Sequence, residues 1–229
     1  MKIEFEDLKS ISKSTTSLNV RGHKAKDLSI LADFKNLKEL QIRTFKGKDL
    51  SFLNELKDLK SLILENVTTD NELENLKDLT GLEELTLQTP VGWDGSGKKI
   101  TYKSLKPLSG LENLIELRLL DIESTESGFQ PLFNLQKLKK VVTHNTFTTY
   151  DFAELNAVRP DIECDYAAAY RIRKIEYFIC NKCGTYKLEF SGKDLIRRTF
   201  CPNCNEKKVT ELTERFTAIK SKITAGNIV

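Results

Sequence analysis

Four cysteines stand in two pairs, Cys180-Asn-Lys-Cys183 and Cys201-Pro-Asn-Cys204, with 17 residues between the pairs. A two-residue gap lets one tight turn present two sulfurs to a single point, and two such turns at this separation supply the four soft ligands of a tetrahedral zinc site. The expected cofactor is therefore one Zn²⁺, held by Cys180, Cys183, Cys201 and Cys204. All four ligands are thiolates, so no coordination position is left for water, and a closed site of this kind is structural rather than catalytic. Gly184 suits the left-handed backbone of the first knuckle, and Pro202 stiffens the second. Two pairs at zinc spacing argue against a redox Cys-x-x-Cys. A RING-type arrangement would need a second ligand set, and only Cys164 and two histidines remain.

Other residues with chemical potential carry weaker signals. Gly92-Trp-Asp-Gly-Ser-Gly97-Lys98-Lys99 nearly matches the phosphate loop, but Lys99 stands where a hydroxyl would hold Mg²⁺. No long helix follows to seat an anion on its N-terminus, so no nucleotide binding is expected. Trp93, the only tryptophan, is a candidate loop contact or a loop anchor. His23 reads as structural and His144 as exposed. Cys164 reads as a packed thiol. No Ser/His/Asp arrangement emerges, so the chain is read as non-enzymatic, with no catalytic residues.

The elements that position the cysteines are short. Ile175–Ile179, Tyr186–Phe190 and Ile196–Phe200 read as strands. Glu206–Ile223 reads as an amphipathic helix, with Val209, Leu212, Phe216, Ile219 and Ile223 on one stripe. That stripe is expected to pack on the ribbon or the repeats, with dimerisation as the alternative. This segment resembles zinc-ribbon domains, whose ligand pattern the four cysteines match one for one. Losing a ligand is expected to unfold the tail and leave the upstream part largely intact.

Upstream, the sequence repeats. From Thr15 the pattern L-x-x-L-x-L recurs, and KDLSILADFKN (26–36) aligns with KDLSFLNELKD (48–58) residue for residue. Residues 15–36 and 37–58 are both 22 residues long; later copies lengthen, the fourth through the glycine-rich insertion. Twenty-nine of the 32 leucines precede residue 160, which places a boundary near Asp165. Alternation puts Leu40/Ile42, Leu62/Leu64, Leu85/Leu87 and Leu117/Leu119 on one side of successive strands. Leu50, Leu53 and Leu56 have the spacing of a helical or 3₁₀ turn behind them. No single repeat can bury its leucines, so neighbours must stack. Ile3, Phe5, Leu8 and Ile11 are expected to cap one end, and Phe152, Leu155, Val158 and Ile162 the other, with Pro160 ending a helix there.

These repeats resemble the leucine-rich-repeat superfamily, in particular its 22-residue internalin-like class. The resemblance implies an α/β fold: a curved, right-handed solenoid of about six repeats over 1–165. A zinc ribbon and a C-terminal amphipathic helix then occupy 166–229. The family's buried asparagine is replaced by His23, Phe45, Val67 and Ile122. The resemblance also implies protein binding.

On the concave side, the first column reads Ser17, Glu39, Ser61, Glu84, Glu116, Lys140. The second reads Asn19, Gln41, Ile63, Thr86, Arg118, Val142, and the third Arg21, Arg43, Glu65, Gln88, Leu120, His144. Apolar residues among sorted charges suit recognition of a protein. The candidate contacts are Glu39, Arg43, Ile63, Glu84, Arg118 and Leu120. Residues 166–229 hold 13 Lys/Arg against 6 Asp/Glu, whereas 1–165 hold 23 against 27. The basic tail therefore keeps an alternative open: nucleic-acid contact through Lys182, Lys187, Arg197, Arg198, Lys207 and Lys208, with Tyr186 or Phe200 stacking. No stretch is apolar enough to span a membrane, and the charged N-terminus does not read as a signal peptide, so a cytoplasmic location is expected. An adaptor, immunity or effector role in a bacterial cell fits these features.

Overall fold

The computed structural model describes residues 2–90 and 98–226. Trp93 and most of the glycine-rich stretch lie outside the described residues. In chain order the strands are β1 (Lys2–Glu4), β2 (Ser17–Arg21), β3 (Glu39–Gly47), β4 (Ser61–Thr69), β5 (Glu84–Gln88), β6 (Ile100–Ser104), β7 (Glu116–Leu120), β8 (Ile122–Glu126) and β9 (Lys140–Thr143). They are followed by α1 (Thr149–Val158), β10 (Tyr170–Ile172), β11 (Leu188–Phe190), β12 (Thr199–Phe200) and α2 (Glu206–Thr224). Seven strands form one sheet in the order β1-β2-β3-β4-β5-β7-β9, all parallel. β6 and β8 pair beside it, and β10-β11-β12 form an antiparallel sheet of their own.

The sequence repeat becomes strand register. Ser17 pairs with Glu39 and Glu39 with Ser61, so a 22-residue period places equivalent residues side by side. At the foot of each strand one carbonyl accepts two successive amides: Thr16 from Lys38 and Glu39, Lys38 from Lys60 and Ser61, Lys60 from Glu83 and Glu84. Leu40, Ile42, Leu62, Leu64, Leu85, Leu87, Leu117 and Leu119 are all buried, as alternation requires. The return segments are 3₁₀ turns, Ser29–Asp33 and Ser51–Glu55 among them. Asp27 and Asp49 start these turns by accepting the amides of Ser29 and Ser51 at 2.8 and 3.0 Å. The Ser29 hydroxyl lowers the Asp27 pKa most, and the Ser51 amide that of Asp49.

The corner where the resemblance implied an asparagine is built differently. Phe45, Val67 and Ile122 are buried there, and Phe45 lies in register with Val67. His23 does not join them. It is exposed, with Nδ1 3.8 Å from Glu4, and the neighbouring Gly22 lies against the Phe45 ring instead. Thr44, Asn66 and Asp121 turn the chain at this corner with φ of 54–58°, a region that asparagine and aspartate visit more readily than threonine. The Phe45 ring also fills the space over Gly47, where a Cβ would stand 2.2 Å from Cζ. Gly47→Ala is therefore expected to cost about 1–3 kcal/mol through overpacking, read as a lowered urea midpoint at unchanged slope.

Both ends of the sheet are closed. At the first, β1 pairs with β2, Ile3 and Leu8 are buried, and Phe5 and Ile11 pack against them half-buried. At the second, α1 is capped by Thr148 and Asp151, each accepting the other's backbone amide. Phe152, Leu155 and Ile162 are buried there, but Val158 is 43% exposed; it is the last residue of the helix and points away from the core. Glu163 extends the sheet edge by a bridge to Lys140.

Candidate metal centre and recognition face

β11 and β12 carry the apolar side of the ribbon, as read from Tyr186–Phe190 and Ile196–Phe200. Ile175–Ile179 is not a strand. Glu176–Phe178 is a 3₁₀ turn, and the third strand is β10, upstream. The turn delivers Cys180 to the first knuckle, where Cys180 and Thr185 and then Ile179 and Tyr186 pair across it. Gly184 closes the knuckle at φ 72°. At the second knuckle, the Asn205 amide donates to the Cys201 carbonyl at 2.9 Å, and the Cys201 amide to Asn205 Oδ1 at 3.2 Å.

The four Sγ atoms all lie within 4.8 Å of one another. Cys183 stands 3.3 Å from Cys201 and 3.6 Å from Cys204, and Cys180 3.9 Å from Cys204. Those separations are too long for disulfides, whose sulfurs sit about 2 Å apart. They match the edge of a tetrahedron with ~2.3 Å metal–sulfur bonds, which is about 3.8 Å. The electrostatics agree. Hydrogen bonding to Thr185 brings the Cys183 thiol down to about 6, while its neighbours, Cys183 first, push Cys204 up to about 12. Four sulfurs this close cannot all ionise without a cation among them. Cys180 and Cys201 are buried, and Cys183 and Cys204 are exposed. The donor set fits one divalent metal ion; when bound, it would neutralise thiolate charge and lock the two knuckles together.

α2 begins two residues after Cys204 and ties the ribbon to the repeats. Its Leu212 belongs to the ribbon core with Leu188, Phe190 and Phe200, while Phe216 belongs to the large core of the repeats. Val209, Ile219 and Ile223 are half-buried along the same stripe. Polar contacts add to this junction. Asn145 Nδ2 donates to the Phe190 carbonyl at 2.8 Å, and Gly192 N donates to Asn145 Oδ1 at 2.7 Å. Thr149 Oγ1 donates to the Ser191 carbonyl and Thr149 N to Asp194 Oδ1. Arg198 donates to the Asn145 carbonyl. No sequence pattern pointed to Asn145, Thr149 or Asp194. Cys164 is half-buried beside the same junction, and burial pushes its thiol up.

On the face of the large sheet away from its buried leucines, the register brings the candidate contacts together. Glu39, Ser61, Glu84, Glu116 and Lys140 form one row, and Gln41, Ile63, Thr86, Arg118 and Val142 the next. Arg43, Glu65, Gln88 and Leu120 form a third row. Glu39, Glu84 and Arg118 are exposed, and Arg43, Ile63 and Leu120 are half-buried. Several charges already have partners: Arg118 Nε donates to Glu116 at 2.6 Å and Gln88 to Glu65 at 2.9 Å. His144 follows the last strand and bonds Asp121 at 2.8 Å. A depression of about 150 Å³ is lined by Glu84, Thr86, Glu116 and Arg118. A larger one, about 260 Å³, lies between Arg118, Lys140, Glu163 and Asp165. Among the described residues, no helix is long and apolar enough to cross a membrane.

Seven in-register parallel strands backed by short 3₁₀ returns can be compared with solved structures. A leucine-rich-repeat protein of Leptospira interrogans superposes with a TM-score of 0.50 at 16% identity, over 67% of this chain and 38% of that one. The fold is leucine-rich-repeat-like. Two internalins of Listeria monocytogenes give TM-scores of 0.42 and 0.39, at 19% and 24% identity. They cover 70% and 56% of this chain, and the match spans 61% of each internalin's length. No family model matches the chain, and no curated protein matches its sequence.

Proposed function

We propose that this chain is a non-enzymatic protein-interaction module of the cytoplasm, an adaptor that grips its partner on the exposed face of the large sheet. In this reading, residues 1–165 are a curved, right-handed solenoid of about six repeats in the 22-residue internalin-like class. Residues 166–229 are a zinc ribbon with its helix, and the metal is one structural Zn²⁺. The observation that carries the reading is the register. It sets Glu39, Ile63, Glu84, Arg118 and Leu120 side by side although they span 82 positions of sequence. Stacked leucines hold that face rigid before any partner arrives, so little ordering entropy is lost on binding. Ile63 and Leu120 supply the apolar contacts, and Arg43, Glu84 and Arg118 set the electrostatic fit.

Capture of the partner from the native cell, followed by titration calorimetry on variants, tests this. Ile63→Ala is expected to weaken binding by about 1–2 kcal/mol. Glu84→Lys with Arg118→Glu should weaken it further, and these two charge reversals should leave thermal stability nearly unchanged, because both side chains are exposed. Unchanged affinity in these variants, together with loss on altering the ribbon surface, would refute the reading.

A further inference from the structure

The ribbon's cations fall into two groups. Some are paired with a carboxylate: Arg171 with Glu189, Lys193 with Glu123, Lys208 with Glu211, and Arg215 with Asp194. Those around the first knuckle are not. Arg173, Lys174, Lys182, Lys187 and Arg197 have no carboxylate of the described residues within 4.0 Å. Lys187 and Arg197 line a groove of about 370 Å³ together with Tyr177, Phe178, Asn181 and Thr199. Among the described residues, Glu176 is the one acid on its rim. Tyr177 is 86% exposed, although its ring carries enough apolar surface to favour burial. The Arg173 guanidinium carbon stands 4.9 Å from the centroid of the Phe178 ring, which lines the groove, and that of Arg197 5.0 Å from the Phe200 ring. One residue named from sequence drops out, since Phe200 is 7% exposed; Arg197 and Arg198 each give one N–H to a backbone carbonyl, of Thr199 and Asn145, and of the two it is Arg197 that lines the groove.

We propose that this groove binds single-stranded nucleic acid, with a base stacked on Tyr177 and the flanking phosphates held by Lys187 and Arg197. An uncovered aromatic ring beside unpaired cations is complementary to a ligand that alternates flat rings with negative charges. The ring demands an unpaired base, because the faces of bases in a duplex are already stacked on one another. Asn181, with one donor and one acceptor group on its amide, stands where it can meet a base edge. The groove shares no lining residue with the exposed face of the large sheet, so the proposal does not rest on the protein-binding reading.

The test is fluorescence anisotropy with zinc-loaded full-length chain and labelled oligothymidylate and oligouridylate of about 12 nucleotides, a length within the usual site sizes. A duplex of equal length and heparin serve as competitors. Binding to the single strands is expected, with a log–log salt slope of about −1.4 for two phosphate contacts. Tyr177→Ala should weaken it about tenfold, and Tyr177→Phe, which keeps the ring, should restore it. Lys187→Glu with Arg197→Glu should abolish it, and Arg118→Glu should have no effect. No binding at about 50 mM salt, equal affinity for duplex, or indifference to Tyr177→Ala would each overturn the proposal; the last would leave a mere polyanion or acidic-protein contact. Because Tyr177 is solvent-exposed, its replacement does not threaten the fold.

Discussion

Replacing Cys201 by serine is expected to strip the metal from the chain and to destabilise the repeats as well as the tail. Cys201 is 3% exposed, and its backbone exchanges two hydrogen bonds with Asn205, the residue just before α2. Bound zinc contributes about 10–16 kcal/mol to the folding of small zinc modules, comparable with the stability of a whole domain. The three short strands of the ribbon have no other source of that size, so they should unfold without it. α2 would then lose its anchor, and Phe216 would leave the core it shares with the repeats. Removing a buried phenylalanine costs about 3–5 kcal/mol. For a unit of this size, at about 2–4 °C per kcal/mol, the repeats should melt about 6–20 °C lower. Elemental analysis and thermal unfolding check both parts. Retained stoichiometric zinc would refute the ligand assignment. A lost metal with an unshifted repeat transition would refute the coupling through α2 and restore the separable tail that the sequence suggests. Acidification should act like the mutation, since every thiolate that takes a proton gives up its metal bond.

The second large effect is expected at Asn145. Truncation to alanine removes the side chain that both donates to the Phe190 carbonyl and accepts from the Gly192 amide. Asn145 is 7% exposed, so water cannot readily replace either bond. Each orphaned group costs about 1–3 kcal/mol, and the pair about 2–6 kcal/mol. Asn145→Asp is the sharper probe. Its oxygen still accepts from Gly192, but its other oxygen meets the Phe190 carbonyl with no proton between them, so it should not rescue stability. The urea midpoint reads the loss, and amide exchange at Gly192 locates it. A loss below about 1 kcal/mol, within the range of ordinary surface changes, would show that the junction rests on α2 alone.

How much of this was legible beforehand depends on how local the information is. A repeat period, an alternating strand and a pair of knuckles are patterns within one stretch of chain. Thus the buried leucine columns, the rows of the exposed face and the four sulfurs could be read from spacing. The period of 22 residues determines which residues pair, because parallel strands joined by equal returns must come into register. Cys-x-x-Cys determines that two sulfurs converge, because a tight turn leaves them little choice. The span Glu206–Ile223 was readable as a helix from its single apolar stripe.

Tertiary structure alone decided which of several equally good surfaces each element meets. The stripe of α2 says that it is buried, but not that Leu212 joins the ribbon and Phe216 the repeats. Asn145 looks like any loop asparagine until Phe190 and Gly192 arrive from 45 and 47 residues away. His23 stood where the repeat pattern wanted a buried group, yet Phe45 from the next repeat filled the corner and left it outside. Ile175–Ile179 had the composition of a strand, but the knuckle needed a turn there, and Tyr177 was left in solvent. In each case the deciding contact is long-range. Side-chain burial is a property of the partner surface as much as of the residue, and one stretch of sequence does not contain its partner.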